Sequence, residues 1–303
     1  MNVGVFYNSI ANPQKFSNKT MLMDNFAQGV ITVGDTVTKY TNKVLPKEKL
    51  DIGFVLGYTL ENNFRRSIID YLSKAKIPAV FVDSNILHYA KPEHVWHRYS
   101  INSVYPDKGI YFFNKIEPKW KIYSSWHNVE AMPWRNNGSH ILLLAQRPHG
   151  WNMFGNDQNQ WINDIIQRIK LHSNRPIRIR MHPGDGKKQS QIDLIRARWH
   201  KQVEISTAEN IKQDLVNCWA AVGYNSTPNV VAAIQGVPVY VDDPVHSWAQ
   251  DIAFKNLSDI ETPAMPDRTD WLERIANIHW SNDEVRSGKL WSAIKRHILS
   301  VPA

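Results

Sequence analysis

An α/β fold in two lobes is what this sequence predicts, and three observations support the prediction. Short apolar runs alternate with longer amphipathic segments, the pattern left when parallel strands are covered by helices. The rhythm stops near residues 131–138 and then begins afresh, so the chain reads as two successive α/β halves joined by a linker. Its 303 residues, 43% of them hydrophobic with ordinary Gly and Pro counts, make a folded protein of two domains of roughly 150 residues or of one large one.

Residues 3–7, 52–56 and 79–82 are the strands expected in the first half. Between the last two, residues 62–75 place Phe64, Ile68, Ile69 and Leu72 at helical spacing, which makes a βαβ unit. Residues 89–134 are rich in Tyr, Trp, Pro and Asn and are expected to be irregular, apart from one strand at 109–113. In the second half the strands are 141–145, 177–181, 219–223 and 238–241, with helices at 160–172 and 228–235. The amphipathic stretch 282–299 is expected to pack back on the first lobe, giving domains 1–136, 137–281 and a terminal helix 282–303.

Composition excludes several classes of function. The longest apolar runs, such as residues 141–145, are far shorter than the ~20 residues of a membrane-spanning helix. The first residues lack the basic head and long apolar stretch of a secretion signal. The single Cys218 allows neither an internal disulfide nor a cysteine-based zinc cluster, and a reducing cytoplasm is the expected location. Net charge is +8, and residues 1–136 hold most of it, with 17 Lys/Arg against 11 Asp/Glu. Such a surface attracts polyanions, or simply keeps the protein soluble.

Three expected strand ends in the second half offer groups suited to a phosphate. The first leads into Gln146-Arg147-Pro148-His149-Gly150. The second, with Arg178 and Arg180 on one face, empties into His182-Pro183-Gly184. The third leads into Tyr224-Asn225-Ser226-Thr227, followed by Pro228 in the first turn of a helix. Loops at the carboxyl ends of strands form the ligand crevice of an α/β sheet, so Arg147, Arg180, His182, Ser226 and Thr227 are candidates to hold a diphosphate. Each also has a plainer role open to it: Ser226 or Thr227 as a helix cap, the arginines in ion pairs, His182 on loop backbone. Tyr224, Asn225 and Asp243 are candidate nucleoside contacts, or ordinary turn and core residues.

Other chemistries lack their motifs. Gly184-Asp185-Gly186-Lys187-Lys188 does not have phosphate-loop spacing, no G-x-G-x-x-G follows the first strand, and no H-E-x-x-H or other metal-ligand spacing occurs. No Asp-x-Asp occurs either, so no metal site is expected, and a leaving phosphate would be neutralised by Arg, His and backbone.

His182-Pro183 after a strand, then Tyr224-Asn225-Ser226-Thr227 and a helix ending in Gly236-Val237-Pro238-Val239, resembles the nucleotide-sugar lobe of GT-B glycosyltransferases, most of all the capsule-type Kdo transferases. In the first half Val80-Phe81-Val82-Asp83-Ser84, Tyr99-Ser100-Ile101-Asn102 and Gly109-Ile110-Tyr111-Phe112 are similar to that group's acidic segment and its later Gly-Ile-Tyr-Tyr. The resemblance implies two Rossmann-like lobes with a central cleft, an acceptor-side lobe at 1–136 and a nucleotide-sugar lobe at 137–281. It also implies Asp83 as the catalytic carboxylate, with no cofactor beyond the nucleotide-sugar co-substrate. The family's Gly after the acidic residue is Ser84 here, and its Arg is replaced near His88, so a different acceptor is expected. Gln146-Arg147-Pro148-His149-Gly150-Trp151 looks like a segment of phage-borne enzymes that glycosylate DNA. With the basic, aromatic first half, this points to UDP-sugar transfer onto 5-hydroxymethylcytosine in DNA, in the host cytoplasm. Capsule or lipopolysaccharide glycosyl transfer from a CMP- or UDP-sugar, and nonenzymatic nucleic-acid binding, are the alternatives.

Overall fold

The computed structural model describes residues 1–10, 17–61, 63–87, 96–112, 118–147, 151–184 and 188–300. The chain divides into two compact units, Met1–Tyr123 with Glu273–Ala303, and Ser124–Leu272. The sequence places these divisions at 136/137 and 281/282 instead. Residues 131–135, read as linker, are bound into the second unit: Met132 N donates to Ile234 O at 2.9 Å and Arg135 N to Gly236 O at 2.7 Å.

Strands β1 (Asn2–Phe6), β2 (Thr36–Tyr40), β3 (Ile52–Leu56), β4 (Ala79–Asp83), β5 (Trp96–Ile101) and β11 (His279–Ser281) form the first sheet, in the order β11-β5-β4-β3-β1-β2. β1 to β4 pair in parallel, whereas β5 runs antiparallel to β4, and β11 to β5. Helices α1 (Ser17–Thr32), α2 (Phe64–Lys74) and α3 (Lys119–Trp126) belong to this part of the chain. The expected βαβ unit is present as β3-α2-β4; Ile68, Ile69 and Leu72 are its buried stripe, and Asn63 caps the helix by accepting from Arg66 N. Asn62 lies outside the described residues.

Three expectations for residues 89–134 and 282–299 are corrected. Residues 89–134 are not irregular throughout, since they contain β5 and α3. β5 lacks clean alternation because five of its six residues are buried, Arg98 among them. The strand expected at 109–113 is a single antiparallel bridge between Ile110 and Ile101. The chain closes on itself there, with Asn102 at φ +68° and Tyr111 Oη donating to Val104 O at 2.7 Å; Phe113 lies outside the described residues. The stretch 282–299 is two helices, α9 (Asn282–Arg286) and α10 (Lys289–Ser300), divided at Gly288 with φ +82°. Leu290, Trp291 and Ile294 of α10 are buried in the same core as Phe26 and Phe54. Trp291 Nε1 and Lys295 Nζ both donate to Asp35, at 2.7 and 3.0 Å.

In the second unit β6 (His140–Leu144), β7 (Ile177–Arg180), β8 (Val203–Ile205), β9 (Cys218–Gly223) and β10 (Val239–Val241) form a wholly parallel sheet, in the order β10-β9-β6-β7-β8. Every residue of β6 and β9 is buried, which is why both read as unbroken apolar runs. Helices α4 (Gln158–Lys170), α5 (Lys188–Trp199), α6 (Ile211–Asp214) and α7 (Pro228–Ile234) connect the strands, and α8 (Thr269–Asn277) follows β10. α4 packs on the sheet through Trp161, Ile162, Ile165, Ile166 and Ile169, each contributing roughly 1.5–3 kcal/mol by burial. Among the described residues no helix is long and apolar enough to cross a membrane.

Candidate functional site

The second sheet reverses its winding between β6 and β9: from β6 the chain moves outward through β7 and β8, then returns to β9 and β10 on the other side. Ligands of such sheets bind outside the carboxyl ends at this reversal. Gln146 and residues 224–227 lie there. Gln146, 3% exposed, donates through Nε2 to Asn225 Oδ1 and accepts from Asn152 Nδ2 at 2.9 Å. Asn225 Nδ2 donates in turn to Asn152 O and Asp243 Oδ2, both at 3.0 Å, and His246 Nδ1 lies 2.9 Å from the same carboxylate oxygen. Asn225 and Asp243, both expected at the nucleoside, are thus brought together and tie the ends of β9 and β10 to β6.

Tyr224 is placed differently. Its Oη accepts from Asn156 Nδ2 at 2.7 Å and its ring meets Trp161 edge-on, 5.8 Å between centroids. Burial first, and the Asp243 charge second, push its phenol above the ordinary range.

Arg147 and His182 meet at Gly184. A Cβ built on Gly184 would lie 2.5 Å from Arg147 Nη2 and 3.3 Å from the His182 ring, so the guanidinium and the imidazole lie within the sum of those distances. Arg147 is exposed and makes no hydrogen bond or ion pair among the described residues. His182 Nδ1 accepts the Gly184 N–H at 3.0 Å, so the neutral ring carries its proton on Nε2. Residues 148–150 and 185–187 lie outside the described residues, as does the side chain of Trp151.

Among the described residues the Ser226 and Thr227 hydroxyls of the turn after β9 make no hydrogen bond. Thr227 occupies the N-cap of α7 but has helical backbone angles, φ −54° and ψ −37°, and makes no capping bond. Backbone N–H groups of Asn229 and Val230 are taken by the carbonyls of Ser226 and Thr227 at 3.0 and 2.9 Å. The seven-residue helix α7 is too short for its dipole to hold an anion unaided, so the side chains of Ser226 and Thr227 matter more. Asn229 carried no sequence signal; it is fully buried against Gly223, with both amide atoms unpartnered among the described residues.

Arg180 is not brought to this group. Its Nη1 donates to Asp214 Oδ2 at 2.5 Å and to Ala208 O at 3.0 Å, while Nη2 reaches Glu209 O at 3.3 Å. Asp214 is 1% exposed and needs a counter-charge, which Arg180 supplies from the strand face that also carries Arg178. Arg178 pairs with Glu204 at 3.2 Å.

In the first unit Asp83 ends β4, directly opposite Arg98 of β5. Arg98 Nη2 donates to Asp83 Oδ2 at 2.5 Å, its Nε to Ser84 O at 2.8 Å, and Ser84 N donates to Asp83 Oδ1 at 2.8 Å. Each carboxylate oxygen keeps lone-pair capacity, and one third of the side chain is exposed. Sequence reasoning does not find Arg98, which stands in the mixed stretch Trp96-His97-Arg98-Tyr99-Ser100 with no motif of its own. The segment near His88 lies outside the described residues. No three His, Cys, Asp or Glu side chains cluster as metal ligands among the described residues.

No family model and no curated protein sequence matches the chain. Solved structures do. The chain is similar to Thermosulfurimonas dismutans KpsC, a beta Kdo 2,7 transferase, at TM-score 0.53 and 11% identity, over 96% of this chain and 100% of that one. AviGT4, a glycosyltransferase involved in avilamycin A biosynthesis, gives TM-score 0.35 and 13% identity over 99% of each chain. The UDP-GlcNAc 2-epimerase of Methanocaldococcus jannaschii gives 0.35 and 13%, over 98% of this chain and 100% of its own. With two doubly wound sheets and the KpsC match across both, the fold of this chain is that of the GT-B glycosyltransferases, two Rossmann-like units in one polypeptide.

Proposed function

We propose that this chain is a glycosyltransferase that moves a sugar from a nucleotide-sugar donor to an acceptor hydroxyl. The convergence of Arg147 and His182 on Gly184, at the carboxyl edge of the second sheet, supports this reading most directly. In it the donor phosphates lie against the Arg147 guanidinium, His182 Nε2–H and the hydroxyls of Ser226 and Thr227. Arg180 shapes this edge through Asp214 rather than touching the donor. As the acceptor oxygen attacks the anomeric carbon, the bond from that carbon to the phosphate oxygen breaks. Arg147 and His182 then take up the charge of the leaving phosphate, without recourse to a metal. Asp83 of the first unit, held in one rotamer by Arg98, accepts the acceptor's proton.

A UDP-sugar is the donor we favour. The Lys and Arg excess of residues 1–136 supports a polyanionic acceptor, and 5-hydroxymethylcytosine in DNA is the one to try first, with capsule or lipopolysaccharide glycans as the alternative. The test offers UDP- and CMP-sugars with each acceptor to the wild-type protein and to Asp83→Asn. Transfer by the wild type is expected to fall roughly 10²–10⁴-fold in the variant, with donor affinity unchanged. An active Asp83→Asn protein removes Asp83 from the mechanism. Salt-dependent DNA binding with no nucleotide-sugar affinity would replace the enzymatic reading with a nucleic-acid-binding one.

A further inference from the structure

The first sheet has its own reversal point. From β1 the chain goes to β2 on one side and to β3 and β4 on the other, so the winding changes between β1 and β3. Ser9 follows β1 and Gly57 follows β3 at this carboxyl edge. Ser9 is locked in place: its Oγ donates to Phe6 O at 2.6 Å and accepts Leu56 N–H at 3.2 Å. Arg65, in the first turn of α2, donates through Nε and Nη2 to Ser9 O at 3.2 and 3.0 Å. Its remaining nitrogen, Nη1, lies 3.5 Å from where a Cβ on Gly57 would sit, and Gly57 has φ +67°.

This guanidinium has no carboxylate at ion-pair distance among the described residues. Glu61 and Asp83 are the acidic groups whose charge reaches it, and Asp83 is engaged by Arg98 at 2.5 Å. Burial holds Arg65 below its ordinary range, and burial together with the Arg65 charge lowers the Lys19 ammonium as well. The two cations are therefore close enough for one charge to disfavour the other in partly dehydrated surroundings. A partly buried guanidinium whose hydrogen bonds among the described residues all go to one carbonyl oxygen is under-compensated, and an arriving anion relieves that cost.

We propose that Arg65, set by Ser9 and Gly57 at the reversal of the first sheet, binds an oxyanion, either phosphate or carboxylate, carried by the acceptor. The word acceptor rests on the glycosyl-transfer reading; the oxyanion site does not. The two nitrogens on Ser9 O fix the plane of the fork, and Nη1 with the outer N–H of Nη2 faces the ligand, so binding costs little side-chain entropy.

The test follows the Arg65 Nε–Hε resonance of the full chain by NMR during titration with methyl phosphate and, separately, with acetate, at constant ionic strength kept with chloride. A saturable shift is expected with at least one of them, and the tighter of the two identifies the acceptor's charged group. Followed through the backbone amide resonances of Ser9 and Gly57, which the variants retain, Arg65→Gln should weaken that binding at least tenfold, and Arg65→Lys should keep part of it. A resonance that does not move, or equal binding in wild type and both variants, overturns the proposal. Calorimetry with UDP on the same sample separates this from the donor reading: nucleotide binding with an unmoved Arg65 resonance defeats the oxyanion site alone. Saturation at Arg65 without nucleotide binding supports the oxyanion site and defeats the glycosyl-transfer reading.

Discussion

Gly184→Ala isolates the Arg147–His182 pairing with one methyl group. The new Cβ would sit 2.5 Å from Arg147 Nη2 and 3.3 Å from His182 Cε1. Ordinary contact between such atoms needs about 3.5 Å, so the guanidinium must retreat by about 1 Å while the ring gives by a few tenths. Retreat is easy, because Nη2 is the far end of a flexible side chain, and Gly184 does not use the left-handed backbone region that disfavours alanine. Stability should therefore hold or rise by about 0.4–1 kcal/mol, through loss of unfolded-state freedom. Affinity should fall, since a hydrogen bond to a charged phosphate is worth about 1.5–3 kcal/mol, or roughly 10- to 150-fold. The assay is calorimetric titration of UDP into wild type, Gly184→Ala, Arg147→Ala and the double variant. If Gly184 acts through Arg147, its substitution adds almost nothing in the Arg147→Ala background. A full loss in that background, or none in the wild-type background, refutes the reasoning.

Other outcomes follow from the same geometry. Arg180→Ala leaves Asp214 buried without its cation and should cost about 3–5 kcal/mol in denaturant unfolding, whereas UDP affinity of the folded protein changes less than threefold, roughly; a stable Arg180→Ala protein with lost UDP binding would return Arg180 to the donor site. His140, 4% exposed, has its pKa lowered, first by burial, with Asp214 O bonded to Nε2 at 3.0 Å acting the other way. Because the unfolded chain then takes up a proton more readily than the folded one, this contribution is present above the unfolded value of 6.5 and is lost as pH falls through that value toward the lower folded one. Stability measured from pH 8 to pH 5 should decline, and His140→Gln should flatten that decline.

What the sequence made legible is what local periodicity encodes. The stripes of α4 and α2 are written in spacings of three to four residues, and the buried strands β3, β6 and β9 in continuous apolar runs. β5 was illegible because its Arg98 is neutralised by Asp83, a partner fifteen positions away that only strand register brings opposite. Gly288 hid inside an amphipathic pattern that continues on either side of it, so two helices read as one. The candidate site divides along the same line. His182 and Arg147 were visible as residues at strand ends, but Gly184 as their meeting point depends on β6 and β7 lying side by side. Arg180 looked equally good from alternation alone, and its partner Asp214 lies on a helix 34 positions later. Asn229 left no trace in the sequence, because burial against Gly223 comes from tertiary packing.

The donor edge of the second unit is tested most directly by calorimetry of UDP and CMP with the wild-type chain and with a variant carrying Arg147→Ala and His182→Ala together. Saturable binding of one nucleotide per chain is predicted, weakened by roughly a hundredfold in the double variant while the melting temperature holds. Nucleotide binding that survives both substitutions unchanged, or no nucleotide binding by the wild type, contradicts the account.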